Sequence, residues 1–338
     1  MLNPYLICST NTWRGQFIMQ HFNVSVIIPT FNRPVFLAEA VKSILRQKFR
    51  VTEIIIIDNG SDDEHRDEIS RIVNSHDSII FVRLPSNKGP GYARNIGISK
   101  SRGDWIMFLD DDDILSPNFM GACFENLAIE ENAEMVIGRA VSFKRECPIS
   151  YLRDAIGAIN LKTYIKDPIT TLLINNIAVD SCIVKKKIIG SLRFKEDIWY
   201  GEDTIFWFSL MQKIKVLTVA DNAFVGVRQH PDRISWMNNS SNPDGSPVLP
   251  KDTYINIMFD SMEEQNYWTE FTLKIVVKQS EHNSWYSLSM LRLFMSKPLY
   301  GIRITTMLIK RRLYRYRIML AGKIFKKNIH NFAWLQSQ

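Results

Sequence analysis

From residue 24 onward the chain alternates short apolar runs with amphipathic stretches. Val24–Ile28, Glu53–Ile57, Ile79–Leu84 and Trp105–Leu109 are dominated by Val, Ile and aromatic residues. Near-continuous apolar runs of this length predict strands buried on both faces. Between them, Val35–Gln47 places Leu37, Val41, Ile44 and Leu45 at helical spacing, a charged helix is expected from about Glu64 to Asn74, and a short one over Tyr92–Lys100. Strand and helix in alternation predict an α/β fold: a Rossmann-like, mixed, mainly parallel sheet with flanking helices.

The pattern loosens after residue 130. Glu134–Val141 and Ile177–Val184 predict strands, and Glu202–Gln212 a helix with Trp207 and Phe208 at its apolar positions. Ser240–Pro250, dense in turn formers, reads as a linker. Beyond it the pattern is helical, with a break at Pro298. The expected organisation is an extension over 1–22, disordered or a start assigned too early, since Met19 lies just ahead of the first strand. One domain over 23–240 follows, with halves 23–130 and 131–240, then the linker 241–250 and a helical C-terminal region over 251–338.

Composition changes this picture mainly at the C-terminus. At 46% hydrophobic residues the chain is a folded protein and not a disordered tail. Its net charge of +7 is uneven: residues 282–338 hold 11 Lys/Arg and no acid, leaving 31 basic and 35 acidic residues elsewhere. Ile309, Leu313, Tyr316, Leu320 and Ile324 recur every three or four positions, while Lys310, Arg311, Arg312, Arg315 and Lys323 fall elsewhere on the turn. Such a helix suits an anionic membrane surface, where each base contributes about 1 kcal/mol, or it lies on the body with a solvated basic face. Nucleic acid is the weakest partner, because the strand ends ahead of it are acidic. Cys8, Cys123, Cys147 and Cys182 form no CxxC pair, so buried free thiols are expected. The first 22 residues lack a basic start followed by an apolar core, and no apolar run reaches the ~18 residues of a membrane span. A cytoplasmic protein, peripheral on the inner face of the membrane, is the expectation.

The strand ends carry the chemistry. Leu109 opens into Asp110, Asp111, Asp112 and Asp113. Clustered carboxylates after a buried strand suit a hard divalent cation and an anionic ligand. Alone, the run reads equally well as a solvated turn, with Ser116 capping a helix and Pro117 at its first position. The other strand ends decide between the two: Pro29 to Arg33, Asp58 to Ser61, and Asn87 to Gly91 with Arg94 and Asn95 beyond. Ligands of parallel sheets gather at these carboxyl ends, and together they predict one nucleotide-phosphate site.

In order and spacing, VSVIIPTFNRP (Val24 to Pro34), IIIIDNGSDD (Ile54 to Asp63), NKGPGYARNIGI (Asn87 to Ile98) and GDWIMFLDDDD (Gly103 to Asp113) resemble family 2 of the nucleotide-sugar glycosyltransferases, inverting enzymes of the glycosyltransferase-A fold. The resemblance covers about residues 24 to 235. It implies that 23–130 is the nucleotide half and 131–240 the acceptor half. Pro29, Thr30 and Arg33 would line base and ribose, Asp58 and Asn59 would read the base, and Arg94 would lie near the nucleotide. Asp112 would ligate Mg2+ or Mn2+, with Asp110 on the ribose or the metal's water shell. Asp111 falls with the nucleotide-sugar residues, its other reading, shared with Asp113, being solvent or capping. Trp199 to Thr204 resembles the acidic motif ahead of a helix, making Asp203 the general base and Glu202 its orienter or an acceptor contact, with Trp199 as a further acceptor candidate. Val227 to His230, followed by Arg233 and Ser235, resembles the closing motif in which a His meets metal or diphosphate.

Two departures qualify the resemblance. Asn59 stands where many relatives carry a second Asp, and the amide offers a donor as well as an acceptor. The QxxRW string of polymerising relatives is absent, since Gln229, Arg233 and Trp236 are spaced otherwise, so one sugar per encounter is expected. What the resemblance implies is transfer of a sugar from a nucleotide-diphosphate sugar, in the first instance UDP-linked, to a glycan or lipid-linked acceptor in surface polysaccharide or lipopolysaccharide assembly. Two other readings compete: a nucleotidyltransferase, whose usual glycine-rich loop PTFNRP does not provide, and a non-catalytic membrane or nucleic-acid binding module.

Overall fold

The computed structural model describes residues 22–143, 178–199 and 201–230. All of them belong to the first of two compact units, Met1–Tyr254 and Ile255–Gln338. The expectations for 1–21, the linker 241–250, Pro298, the basic helix, Arg233 and Ser235 lie outside the described residues.

Four parallel strands form one side of the sheet: β1 (Val24–Thr30), β2 (Glu53–Asp58), β3 (Ile79–Arg83) and β4 (Trp105–Phe108), in the order β3-β2-β1-β4. Helix α1 (Pro34–Leu45), helix α2 (Arg66–Val73) after a 3-10 turn Asp63–His65, and helix α3 (Pro90–Lys100) make the crossovers. The sheet continues with β7 (Cys182–Lys185), antiparallel to β4, then β6 (Met135–Phe143), antiparallel to β7. β8 (Leu217–Arg228) runs parallel to β6, and β5 (Ile114–Leu115) closes the edge antiparallel to β8. Helices α4 (Phe119–Ile129), α5 (Lys186–Ile189) and α6 (Glu202–Met211) complete the described elements. This is the mixed, mainly parallel sheet with flanking helices that the pattern predicts.

Alternate strand residues point to opposite faces, and both faces are buried. On one, Val24, Val26, Ile28, Ile54, Ile56 and Met107 meet Leu37, Val41 and Ile44 of α1 and Phe119 and Phe124 of α4. On the other, Phe108 meets Phe194 at 5.1 Å and Phe206 at 5.8 Å between ring centroids. Phe194 and Phe206 stack at 3.9 Å. Edge-to-face and offset ring pairs add to the burial of their area, and this aromatic cluster fixes α6 against the sheet. The functional consequence is positional: the first turn of α6 holds Glu202 and Asp203.

Several local expectations change. The strand expected from Ile177 begins at Cys182, after a 3-10 turn Val179–Ser181 that buries Asp180. Ser116 is not a helix cap: its hydroxyl accepts from Phe224 N at 3.3 Å, and α4 starts at Phe119. Gln47 does that work instead, its Oε1 accepting from Met120 N at 3.0 Å while Nε2 donates to Ser116 O at 2.7 Å. Neither β5 nor β8 was signalled by periodicity. Cys123 and Cys182 are buried free thiols, as expected, and no described helix is long and apolar enough to cross a membrane.

Candidate active site

The carboxyl ends of β1, β2 and β4 and the segment after β8 converge. β1 ends at Thr30, whose hydroxyl donates to Asp111 Oδ2 at 2.7 Å. Three residues on, Arg33 Nη1 lies 3.1 Å from Asp112 Oδ2 and 3.4 Å from Asp111 Oδ1. His230 Nε2 meets the same Asp112 Oδ2 at 2.7 Å, its ring tilted against Phe36 at 5.1 Å. Arginine from the first loop and histidine from the last thus clamp the aspartate run from two sides. His230, expected on the metal or diphosphate, is here the partner of Asp112.

Below that run lies Arg228. Its backbone N donates to Asp113 Oδ1 at 2.8 Å and its Nε to the Asp112 carbonyl at 3.0 Å, while Nη2 pairs with Glu39. The guanidinium sits between the rings of Phe36 and Phe143, 4.8 and 4.7 Å from their centroids. Sequence spacing does not show that Arg228 and Glu39 support the loop, because their contact partners are set by the β6–β8 pairing. Asp113 corrects the solvent or capping reading: it is buried and accepts a backbone hydrogen bond. The same holds for Asp111, buried and bonded to Thr30.

Arg94, expected near the nucleotide, is buried between two acids, Nη1 donating to Glu202 Oε1 and Nη2 to Asp110 Oδ1, each at 2.7 Å. Its guanidinium lies 5.3 Å from the centroid of Phe194. Burial acts to lower the Arg94 pKa, but the charges of Asp110 and Glu202 overcome this and raise it. The two carboxylates are the physical reason a guanidinium can be buried here. One guanidinium thereby joins the aspartate loop to the acid pair at the start of α6.

Asp58 and Asn59 are buried at the end of β2. Asp58 accepts from Ser61 N at 2.9 Å and from Arg83 Nη1 at 3.0 Å. The amide of Asn59 donates to Asn87 Oδ1 at 2.8 Å and Gly89 O at 3.1 Å and accepts from Lys88 N at 3.0 Å. Both donors of Asn59 are therefore committed to the turn after β3. Pro29 is half-buried beside Thr30.

Burial raises the pKa of several acids. Burial and Asp112 push Asp111 up to about 7, against Arg33 and Thr30. Burial and Asp203 push Glu202 up to about 7, with Arg94 opposing. Asp203 is raised by burial, Arg94 and the Thr204 amide opposing. Burial and the neighbouring Asp180 hold Asp113 well above the usual carboxylate range. Asp110, Asp112 and Asp113 offer oxygens all within 4.8 Å of one another. Asp110 to Asp113, Asp180, Glu202 and Asp203 outnumber the guanidinium groups of Arg33, Arg94 and Arg228 around them. An excess of crowded, buried carboxylate oxygens suits a hard divalent cation, so the residues fit the metal that the sequence implies.

The matching family model is that of glycosyl transferase family 2, over residues 25–191. A glycosyltransferase of Haemophilus influenzae is 29% identical over 194 residues, which cover 57% of this chain and 73% of that protein. The GalNAc(5)-diNAcBac-PP-undecaprenol beta-1,3-glucosyltransferase of Campylobacter jejuni is 28% identical over 196 residues, 56% of this chain and 60% of the relative. The chain thus spans about three fifths of the Campylobacter protein. Among solved structures, S. aureus TarS 1-349 in complex with UDP-GlcNAc aligns at a TM-score of 0.54, with 16% identity, over 86% of this chain and 92% of TarS. That likeness is one of fold, the glycosyltransferase-A arrangement of a curled, mainly parallel sheet with flanking helices. With this fold, these motifs at its strand ends and the matched model, residues 25–191 form a glycosyl transferase family 2 domain.

Proposed function

We propose that the protein is an inverting, metal-dependent transferase that moves one sugar from a UDP-sugar to a hydroxyl of a glycan or lipid-linked acceptor in surface polysaccharide assembly. The observation that carries this is the Arg94 bridge, which ties Asp110 to Glu202 and so joins the aspartate loop and the α6 acid pair in one site. The names of two similar proteins support the substrate classes: the Campylobacter relative is a glucosyltransferase on a lipid-linked glycan, and TarS was solved with UDP-GlcNAc.

Asp112, with Asp110, would hold Mg2+ or Mn2+ at the diphosphate, and His230 and Arg33 keep the Asp112 carboxylate in place. Bound there, the cation supplies charge stabilisation for the departing diphosphate. Pro29, Thr30 and Arg33 line the ribose side. Asp58 contributes the lone pairs left after Ser61 and Arg83, and Asn59 shapes the base pocket through the turn it holds. Asp203 takes the proton of the acceptor hydroxyl as that oxygen attacks the anomeric carbon. The bond from that carbon to the diphosphate oxygen breaks, and its electron pair leaves with the diphosphate. A base so placed contributes roughly 10²–10⁴-fold. Arg94 steadies Glu202 beside it. A lipid-linked acceptor and the basic composition of residues 282–338 favour a peripheral position on the cytoplasmic face of the membrane.

Asp203→Asn tests the reading. Transfer is expected to fall by about 10³-fold while UDP binding in Mn2+ stays within about threefold of wild type. Turnover that survives the substitution would remove Asp203 from the role.

A further inference from the structure

Among the described residues, the segment ahead of the acid pair Glu202–Asp203 has no strand of its own, and α3 holds it. Asn95 donates to Phe194 O at 3.0 Å and to Glu196 Oε1 at 2.9 Å, and accepts from Phe194 N at 2.8 Å. Gly91 admits the Lys195 carbonyl: a Cβ there would stand 2.7 Å from that oxygen. At the N-terminal end of the same helix the indole of Trp199 lies across Gly89. A Cβ at position 89 would fall 2.8 Å from Nε1 and 2.9 Å from Cε2 of the ring.

Gly89 has φ 85° and ψ 159°, a conformation open essentially to glycine alone. The turn it ends is gripped from the other side by Asn59, through Asn87 Oδ1, Lys88 N and Gly89 O. It rests on Gly60, where a Cβ would come 2.5 Å from Ser86 C. The end of β2, the turn 86–89 and the Trp199 indole are therefore in contact one after another, and Trp199 precedes Glu202 by three positions in the chain.

We propose that Trp199 is a positioning residue: its indole, seated on Gly89, sets the place of the base-bearing segment against the nucleotide-side turn, and the two residues act as a pair. This gives the ring a task different from stacking on an acceptor sugar, and it explains the absence of a side chain at position 89. The inference rests on the reading of Asp203 as the base.

A double-mutant cycle on the full chain tests it. Rates of UDP release are measured in Mn2+ with whichever of UDP-glucose, UDP-GlcNAc and UDP-galactose the wild type turns over fastest. Trp199→Leu is expected to lower kcat about tenfold with KM within about threefold, and Trp199→Phe, which keeps a ring on Gly89, to retain most of kcat. Gly89→Ala should cost about tenfold or more in the wild-type background but only about threefold with Leu at 199, since the ring it displaces is then gone. Equal factors for Gly89→Ala in both backgrounds would overturn the pairing. A raised KM at unchanged kcat in Trp199→Leu would overturn it too, placing the ring on the donor. Should Gly89→Ala fail to fold, the kcat and KM of Trp199→Leu and Trp199→Phe decide alone, equal losses in both counting against the proposal. Absence of release by the wild type sinks the functional reading and the inference together, and is told apart by preceding any substitution.

Discussion

Glu202 lies 108 positions from Arg94 in the chain and 2.7 Å from it in space. No local signal announces that contact. The resemblance of its motif placed Arg94 in the site, but the partner depends on how α3 and α6 dock, which is decided by the buried rings of Phe108, Phe194 and Phe206 beside them. Arg94→Lys keeps the charge, yet a single ammonium on a flexible stem does not reproduce a planar fork reaching two acids. Transfer is expected to fall about tenfold or more in this variant, with protein stability lowered only slightly. Arg94→Met leaves Glu202 and Asp110 without their shared cation, and removal of one partner of a buried pair costs about 3–5 kcal/mol. The part-exposed Asp110 side chain puts the expected loss at the lower end of that range, measurable by urea unfolding. Unchanged rates and stability in both variants would mean that the bridge does not matter. Asp112, Asp203 and His230 were expected at the site through the resemblance of their motifs to family 2. That Asp113 is buried over Asp180, and that Arg228 supports the loop, was not, because charged residues in a loop read as solvated until the strands beneath them are paired.

At the scale of elements, β1, β2 and β4 were legible because strands covered on both faces must be apolar throughout, and the half-buried edge strand β3 from its run of Ile, Phe and Val. β8 was not. Its sequence LTVADNAFVGVR is broken by Asp221 and Asn222, both exposed, next to an irregularity in its pairing with β6 between Ile137 and Arg139. A bulge of this kind shifts the alternation and hides the period. The two residues of β5 are too few for any period. Where α3 crosses β1 the fit is close: Gly97 faces Ile27, and an added Cβ would lie 2.2 Å from Ile27 Cγ2. Gly97→Ala should therefore force the helix from the strand. Overpacking of this kind costs about 1–3 kcal/mol, and helix propensity returns less than about 1 kcal/mol. A lower midpoint in urea at unchanged slope is the expected outcome, and a gain in stability would show that the helix shifts freely.

For the molecule as a whole, one buried network lies at the amino ends of the strands, away from the site. Glu53 accepts from the Ser25 hydroxyl at 2.6 Å, from Arg102 N at 2.6 Å and from Arg102 Nε at 2.8 Å. Burial alone raises its pKa, but Ser25 and the two Arg102 contacts outweigh burial and lower it. A carboxylate whose folded pKa lies below its unfolded value stabilises the fold above the unfolded value and loses that contribution as pH falls through the folded one. Wild-type stability, followed by urea unfolding, should therefore decline more steeply below about pH 4 than that of Glu53→Gln. Parallel curves would show that Glu53 carries no such linkage. The central claim concerns the other end of the sheet, where the aspartate loop and the α6 acid pair form one cation and diphosphate site. Titration calorimetry of UDP into the full chain, with and without Mn2+, tests it most directly. The expected result is UDP binding at least about tenfold tighter with Mn2+, lost in Asp112→Asn and kept in Asp203→Asn. Binding of UDP that is indifferent to the metal and to Asp112, or no binding at all, would contradict it.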